Sequence, residues 1–450
     1  MTGATLAASL VERGLDPGEL AARASLFDLV LSRLGHIPKR TAEARAPLHA
    51  WWVPGRLEAF GKHTDYAGGR TLVCAVPRGF AVLARPRSDG TLQVADARRM
   101  QDGSFEAAPR PSTSPPLSGW RHYVDVVARR IARNFPGASL GADIVIASDL
   151  PRAAGMSSSS ALVIGIATAL VRVARIESRP EWLENITGPS DVAGFYACIE
   201  NGRSFGSLPG DAGVGTHGGS EDHAAILTGS PGRLSAFAFV PMRAIGVAPV
   251  PERWRFVLSP CGVVAQKTGA AQESYNRLSS GTRVLLDLWN RSSSSAAVSL
   301  GDALGVSGAP NARTSPAAAE QLRGAVRASN TPGWTRDALE RRLNHFIRED
   351  ARIPDALDAF RNTDAEGLGR LADDSQREAE TLLGNQISET RALAQAARNL
   401  GAFASSSFGA GFGGSVWALV ERDRADAFAR AWHADAFIAV PGPPVVELTV

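Results

Sequence analysis

Residues 157–176, S-S-S-S-A-L-V-I-G-I-A-T-A-L-V-R-V-A-R-I, constrain the fold of this chain more than any other stretch. The spacing predicts a helix that is apolar nearly all round, and such a helix has to be covered on every side. The chain must therefore build layers around it. At 450 residues it is long enough for a substantial core and for two domains. Ahead of the helix, residues 142–147 read as a short β-branched strand, ended by Asp149 and Pro151. The order is strand, a turn of small residues (L-P-R-A-A-G-M-S-S-S-S-A, 150–161), then buried helix.

The rest of the chain reads as mixed α and β. Residues 1–46 are helical and amphipathic, with Pro38 ending the pattern. Residues 49–53, 70–76 and 80–84 are strand candidates, and Ser88-Asp-Gly90 is a turn. Residues 54–69, P-G-R-L-E-A-F-G-K-H-T-D-Y-A-G-G, carry too much charge and glycine for a core strand and are expected as a loop around a polar small molecule. Residues 102–118 read as a surface loop, 120–135 and 191–200 as helices, and 201–221 as a glycine-rich loop. Strands are expected at 237–250, 254–258, 415–421 and 437–440, with a mostly helical run from 262 to about 400 between them. Two serine-rich interruptions, 292–295 and 307–316, break that run. The domain boundary is expected near 230–260: an N-terminal helical segment (1–46) packing on a first domain (47–240), then a second (241–450).

Composition narrows the class. Apolar residues make up 44%, charged residues 21%, and the net charge is +3 with arginines scattered, which makes no case for nucleic acid. Cys74, Cys198 and Cys261 are widely spaced, so a reducing compartment is expected rather than a disulfide framework. Neither a secretory leader nor a membrane span is legible, and the expectation is a cytoplasmic protein.

Two stretches carry chemistry on physical grounds. A helix N-terminus offers unsatisfied N–H groups and partial positive charge, and small residues before it let phosphate oxygens approach. Residues 154–160 have that form, although serines there also serve simply as helix caps. The string S-S-F-G-A-G-F-G-G-S (406–415) runs into a strand and is weak on its own, since turns use glycine too. His217, Glu221, Asp222 and His223 could be read as a metal cluster, but Gly218 and Gly219 disfavour the helix that would bring them together.

Residues 54–69, 150–161 and 406–415, in this order, resemble the three motifs of the GHMP small-molecule kinases, and His63-Thr-Asp-Tyr66 resembles the galactokinase branch. Ala153 and Met156 depart from the usual phosphate loop. The resemblance implies an α+β, two-domain GHMP kinase-like fold with the active site between the domains. It implies consumption of ATP with Mg²⁺ to phosphorylate the anomeric hydroxyl of a monosaccharide, galactose or a close relative. Partners would be sugar and ATP, with no nucleic acid or membrane, in a monomer or small homo-oligomer.

By the same resemblance Asp222 is the catalytic base and Arg56 the catalytic arginine. Ala154, Gly155, Ser157, Ser158, Ser159, Ser160, Gly409, Gly411 and Gly413 would hold the nucleotide. Ser159 (or Ser158) and Glu200 would hold the metal. The sugar would meet Lys62, His63, Asp65, Tyr66 and Glu221. Here Glu58 stands for the family's Asn, and Lys62 for a Glu that accepts a sugar hydroxyl. Lys62 either meets a substrate carboxylate, as in a uronic acid, or pairs with Glu58 or Glu221. A reading of another class is a catalytically inactive sugar and ATP sensor.

Overall fold

The computed structural model describes residues 2–38, 46–99, 101–105, 115–151, 154–263, 270–306 and 309–450. Helices α1 (Gly3–Glu12) and α2 (Leu20–Gly35) precede strands β1 (His49–Phe60), β2 (Arg70–Pro86), β3 (Leu92–Asp96) and β4 (Gln101–Phe105). Helix α3 (Trp120–Asn134), strand β5 (Ala142–Ser148) and helices α4 (Ser158–Val173), α5 (Pro180–Asn185), α6 (Pro189–Asn201) and α7 (Glu221–Thr228) follow. Strands β6 (Arg233–Ala238), β7 (Arg243–Pro249) and β8 (Trp254–Pro260) lead into a helical run. That run comprises α8 (Ala270–Ser292), α9 (Leu300–Ala303), α10 (Pro316–Ala328), α11 (Arg336–Arg361), α12 (Ala365–Glu378) and α13 (Ser388–Asn399). Strands β9 (Ala404–Phe408) and β10 (Ser415–Glu421), helix α14 (Ala425–Trp432) and strands β11 (Phe437–Ala439) and β12 (Val446–Leu448) close the chain.

Among the described residues the strands form two sheets. The first runs β12-β1-β2-β5-β3-β4, with β6 also on β2 and β7 on β6; β3 and β5 are parallel and the other pairs antiparallel. The second is antiparallel, β11-β8-β10-β9. Strands β7 and β12, both beyond residue 240, thus belong to the first sheet.

Side-chain alternation explains the layers, since successive strand residues face opposite ways. On β1, Ala50 and Trp52 join the cluster under α1 and α2, while Trp51, Val53, Leu57 and Ala59 join the main core that contains α4. On β10, Trp417 and Leu419 face the main core and Val416, Ala418 and Val420 face a cluster with Leu393, Phe428 and Trp432. Helix α4 packs on β1 and β2 and is flanked by α3, α6 and α7, so its all-round apolar surface is covered as its sequence requires. A further core joins α8 to α11 through Leu285, Leu322, Leu343 and Phe346.

Three expectations are corrected. Residues 54–60 are strand, not loop: β1 runs through to Phe60, with irregular register at Pro54/Arg56 and Glu58/Phe60. Its charges are tolerated because Arg56 and Glu58 take alternate positions and face a cavity. Residues 237–250 are not one strand, because the chain turns between β6 and β7. The segment 102–118 begins as strand β4, paired with β3; residues 106–114 lie outside the described part, as do Ala153 and residues 307–308 of the second serine-rich interruption.

Candidate active site

A cavity of about 1450 Å³ opens where β1, the N-terminus of α4 and the first turn of α7 converge, and Tyr275 of α8 and Gly409 line it from the other side. Asp222 lies in the first turn of α7, where a carboxylate complements the helix dipole. Arg56 Nε donates to Asp222 Oδ1 at 2.8 Å, and Ser160 Oγ donates to Asp222 Oδ2 at 3.0 Å. Strand β1 and helix α4 thus hold both oxygens of one carboxylate. Arg56 Nη1 also donates to the Gly155 carbonyl, and its Nε lies 3.2 Å from Glu221 Oε1. Burial alone would depress the guanidinium's pKa, but Asp222, Glu221 and Glu58 outweigh it and the net shift is upward.

Ser157, at the N-cap of α4, does not cap it with its side chain: it sits at φ 58°, ψ 39° and makes no capping hydrogen bond. The hydroxyls of Ser157 and Ser158 are buried without a partner among the described residues, and both residues line the cavity with Ser159 and Ser160. Buried hydroxyls normally find partners, so this pair fits a ligand with acceptor oxygens. Glycine is required where the two loops meet: a Cβ on Gly409, at φ +81°, would stand 2.7 Å from the Gly155 carbonyl oxygen. Gly409 and Ala410 reach the cavity wall. Gly411 and Gly413 do not line it, and Ala154 turns inward, its carbonyl accepting from Ser415 Oγ.

Around the H-T-D-Y string the groups are closely coupled. His63 Nε2 donates to the Ala410 carbonyl (3.0 Å), so Nδ1 accepts from the Tyr66 hydroxyl (2.9 Å). Burial, reinforced by Arg342, brings the His63 pKa down to about 3, so the imidazole is neutral. Burial pushes Tyr66 up to about 12, and Arg342 donates to its hydroxyl at 3.1 Å. Asp65 accepts from the Glu221 backbone N–H at 3.2 Å, and burial raises its pKa. His63, Asp65, Tyr66 and Glu221 all line the cavity.

Lys62 does not. Its side chain is buried behind the wall, and Nζ donates to Ser375 Oγ (2.6 Å) and Ser406 Oγ (3.0 Å). Ser375 Oγ donates onward to Glu349, which also accepts from the backbone N–H groups of Gly61 and Lys62. The expected substrate contact of Lys62 is therefore corrected. An ammonium with these partners and a carboxylate one step away is an internal structural group, and Glu349, Glu58 and Glu221 all favour its charged form.

Glu200 lines the cavity on α6, its Oε2 3.3 Å from His223 Nε2. Among the described residues no group of three or more His, Cys, Asp or Glu could hold a metal ion. Mg²⁺ needs few protein ligands, because waters and substrate phosphates complete its shell. Glu200 and the small hydroxyls at the start of α4 fit such a site. His217 faces away, hydrogen-bonded to Arg283 at 2.8 Å.

Glu58 and Tyr275 are among the lining residues that residue type and motif did not mark as site residues. Glu58 was legible as a departure from the family pattern, but its place on the wall follows from the strand alternation of β1. Tyr275, 5.4 Å from the His63 ring, lies in A-A-Q-E-S-Y-N-R, where nothing in charge or glycine content marks it.

Three family models match: the GHMP kinases N terminal domain over residues 122–198, the GHMP kinases C terminal over 356–439, and the galactokinase galactose-binding signature over 39–86. A galactokinase of Exiguobacterium sibiricum is 26% identical over 395 residues, covering 85% of this chain and 87% of that one. One of Mycobacterium bovis is 28% identical over 416 residues, covering 89% and 96%. In structure, Lactococcus lactis galactokinase complexed with galactose superposes with a TM-score of 0.70 at 21% identity, over 89% of this chain and 95% of that one. Methanococcus jannaschii mevalonate kinase gives 0.57 at 13% identity, over 88% and 99%. The fold is the mixed α/β GHMP kinase fold with its N- and C-terminal domains, and the chain belongs to the GHMP kinases, in their galactokinase-like branch.

Proposed function

We propose that this chain transfers the γ-phosphoryl group of ATP to the anomeric hydroxyl of galactose or a close neutral relative. The observation that carries the reading is the Arg56–Asp222–Ser160 constellation, set in one cavity beside the Ser157 and Ser158 hydroxyls, which have no partner among the described residues. Asp222 accepts the proton of the attacking hydroxyl, and Arg56 stabilises charge on the phosphoryl group in flight. Ser157, Ser158 and Gly155 hold the phosphates, with the α4 dipole behind them. Glu200 and Ser159 or Ser158 would hold Mg²⁺, whose chemistry there would be to neutralise phosphate charge. His63, Asp65, Tyr66 and Tyr275 shape the sugar side. The galactokinase relatives and the galactose-bound neighbour support this reading. A sugar acid loses its argument, because Lys62 is spent behind the wall.

The adenine would lie against Trp120 and Tyr123 of α3, which line the same cavity with Leu117 and Leu162. A stacked base is worth about 1–3 kcal/mol. Trp120→Ala should raise the KM for ATP by about tenfold, one 1.4 kcal/mol step, and leave the KM for sugar unchanged. Steady-state kinetics with each substrate varied in turn checks this; an unchanged ATP KM places the base elsewhere. The overall reading is tested by ATP consumption with Mg²⁺ and galactose, and by ³¹P NMR of the product. A phosphate on any position but the anomeric one would contradict it.

Glu58 yields a pH prediction. Burial pushes its carboxyl from 4.5 up to about 7, against the pull of Arg56 and Lys62. The folded protein keeps a proton that the unfolded chain has released, so this group's contribution to stability is full below about pH 4.5 and is lost as pH rises through about 7. Glu58→Gln, which keeps an acceptor for the Gly409 N–H, should flatten that loss and leave the variant more stable than wild type at pH 8 by on the order of 2 kcal/mol. Urea melts from pH 4.5 to 8 measure it; parallel profiles would contradict the shift.

A further inference from the structure

Glu58 Oε2 accepts from the Gly409 N–H at 2.8 Å, while its Oε1 is buried without a partner among the described residues, and the side chain lines the cavity. Glu221 lies beside it, and its Oε1 faces Arg56 Nε at 3.2 Å outside hydrogen-bond geometry. Arg56 is already committed to Asp222 and Gly155. Four carboxylates, Glu58, Asp65, Glu221 and Asp222, therefore meet one guanidinium, with Lys62 turned behind the wall. The cavity's other arginines are engaged on other elements, Arg129 with Asp125 and Asp211, for example. Once ionised, a buried carboxylate with an unpaired oxygen asks for a donor.

We infer that Glu58, with Glu221 beside it, is a specificity-determining residue that reads a hydrogen-bond donor on the sugar, so that the site admits an amino sugar and excludes a sugar acid. This rests on the sugar-kinase reading of the cavity. An ammonium brings donors and the missing positive charge together, a hydroxyl brings a donor alone, and a carboxylate brings neither and adds repulsion. Burial raises the pKa of both Glu58 and Glu221, for Glu221 with Glu58 as the next cause, as expected for carboxyls awaiting a counter-charge.

The test is calorimetric binding to the full chain of galactose, 2-amino-2-deoxygalactose, 6-amino-6-deoxygalactose and galacturonate, on wild type, Glu58→Gln and Glu221→Gln, with turnover assayed in parallel. In wild type at least one amino sugar should bind within about tenfold of galactose, and the acid about 100-fold more weakly. In either variant the ratio of amino-sugar to acid affinity should fall by about tenfold or more. If galactose turns over but that ratio is the same in wild type and in both folded variants, the inference fails and the kinase reading stands. If one variant fails to fold, the other decides. If no sugar binds, the kinase reading fails and takes the inference with it.

Discussion

Asp222→Asn should lower kcat by about 10³-fold, within the 10²–10⁴ range of a general base, and leave the KM values for ATP and sugar nearly unchanged. The reason is geometric. Asp222 is held by Arg56 Nε and Ser160 Oγ on its two oxygens, so an amide can keep its place while losing the capacity to take a proton. Pocket shape and nucleotide contacts survive, and only the transition-state contribution is removed. A purified Asn variant retaining more than about a tenth of wild-type kcat would remove Asp222 from the role of base. The companion change Arg56→Met is harsher. It leaves Asp222, Glu221 and Glu58 without their shared cation, so it should cost stability as well as rate.

Lys62→Glu should destabilise the fold by about 3–5 kcal/mol, the cost of breaking a buried charge pair, without changing which sugar is preferred. Burial lowers the pKa of the Lys62 ammonium, with Glu349 and Glu58 opposing that shift. Burial would raise the Glu349 carboxyl, but Lys62 and Arg352 outweigh it and bring it down to about 2. The pair joins the end of β1 to α11, α12 and β9, immediately before the loop that meets the turn at Gly155. A glutamate at position 62 would replace the cation with a further buried carboxylate. Chemical denaturation reads the loss. A variant as stable as wild type, with an altered preference between galactose and galacturonate, would return Lys62 to the sugar site.

Much of the fold was legible where one period dominated. The all-apolar helix at 158–173, the strand at 415–421 and the helical run from 270 to 399 follow the residue pattern closely, because each buries what its periodicity says it should. Strand β9 was not legible. Its core is Ser405, Ser406 and Ser407, poor strand formers, which are held by the Trp417 carbonyl, Gln376 and Lys62 from elsewhere in the chain. Residues 54–60 failed in the opposite sense: Arg56 and Glu58 looked like loop residues because the cavity that accommodates them is built by distant segments. The site divides in the same way. Arg56, Asp222 and the serines of α4 stand out by residue type and order, whereas the inward turn of Lys62 depends on Glu349, Ser375 and Ser406, which no local pattern announces.

The measurement that bears most directly on the whole account is ATP consumption by the purified chain with Mg²⁺ against a panel of monosaccharides: galactose, arabinose, fucose, N-acetylgalactosamine, galacturonate and glucuronate. The account predicts turnover with galactose or a close neutral relative, none with either uronate, and loss of that turnover in Asp222→Asn. Measurable ATP binding without turnover on any sugar would contradict it and make the chain a sugar and nucleotide sensor built on a kinase fold.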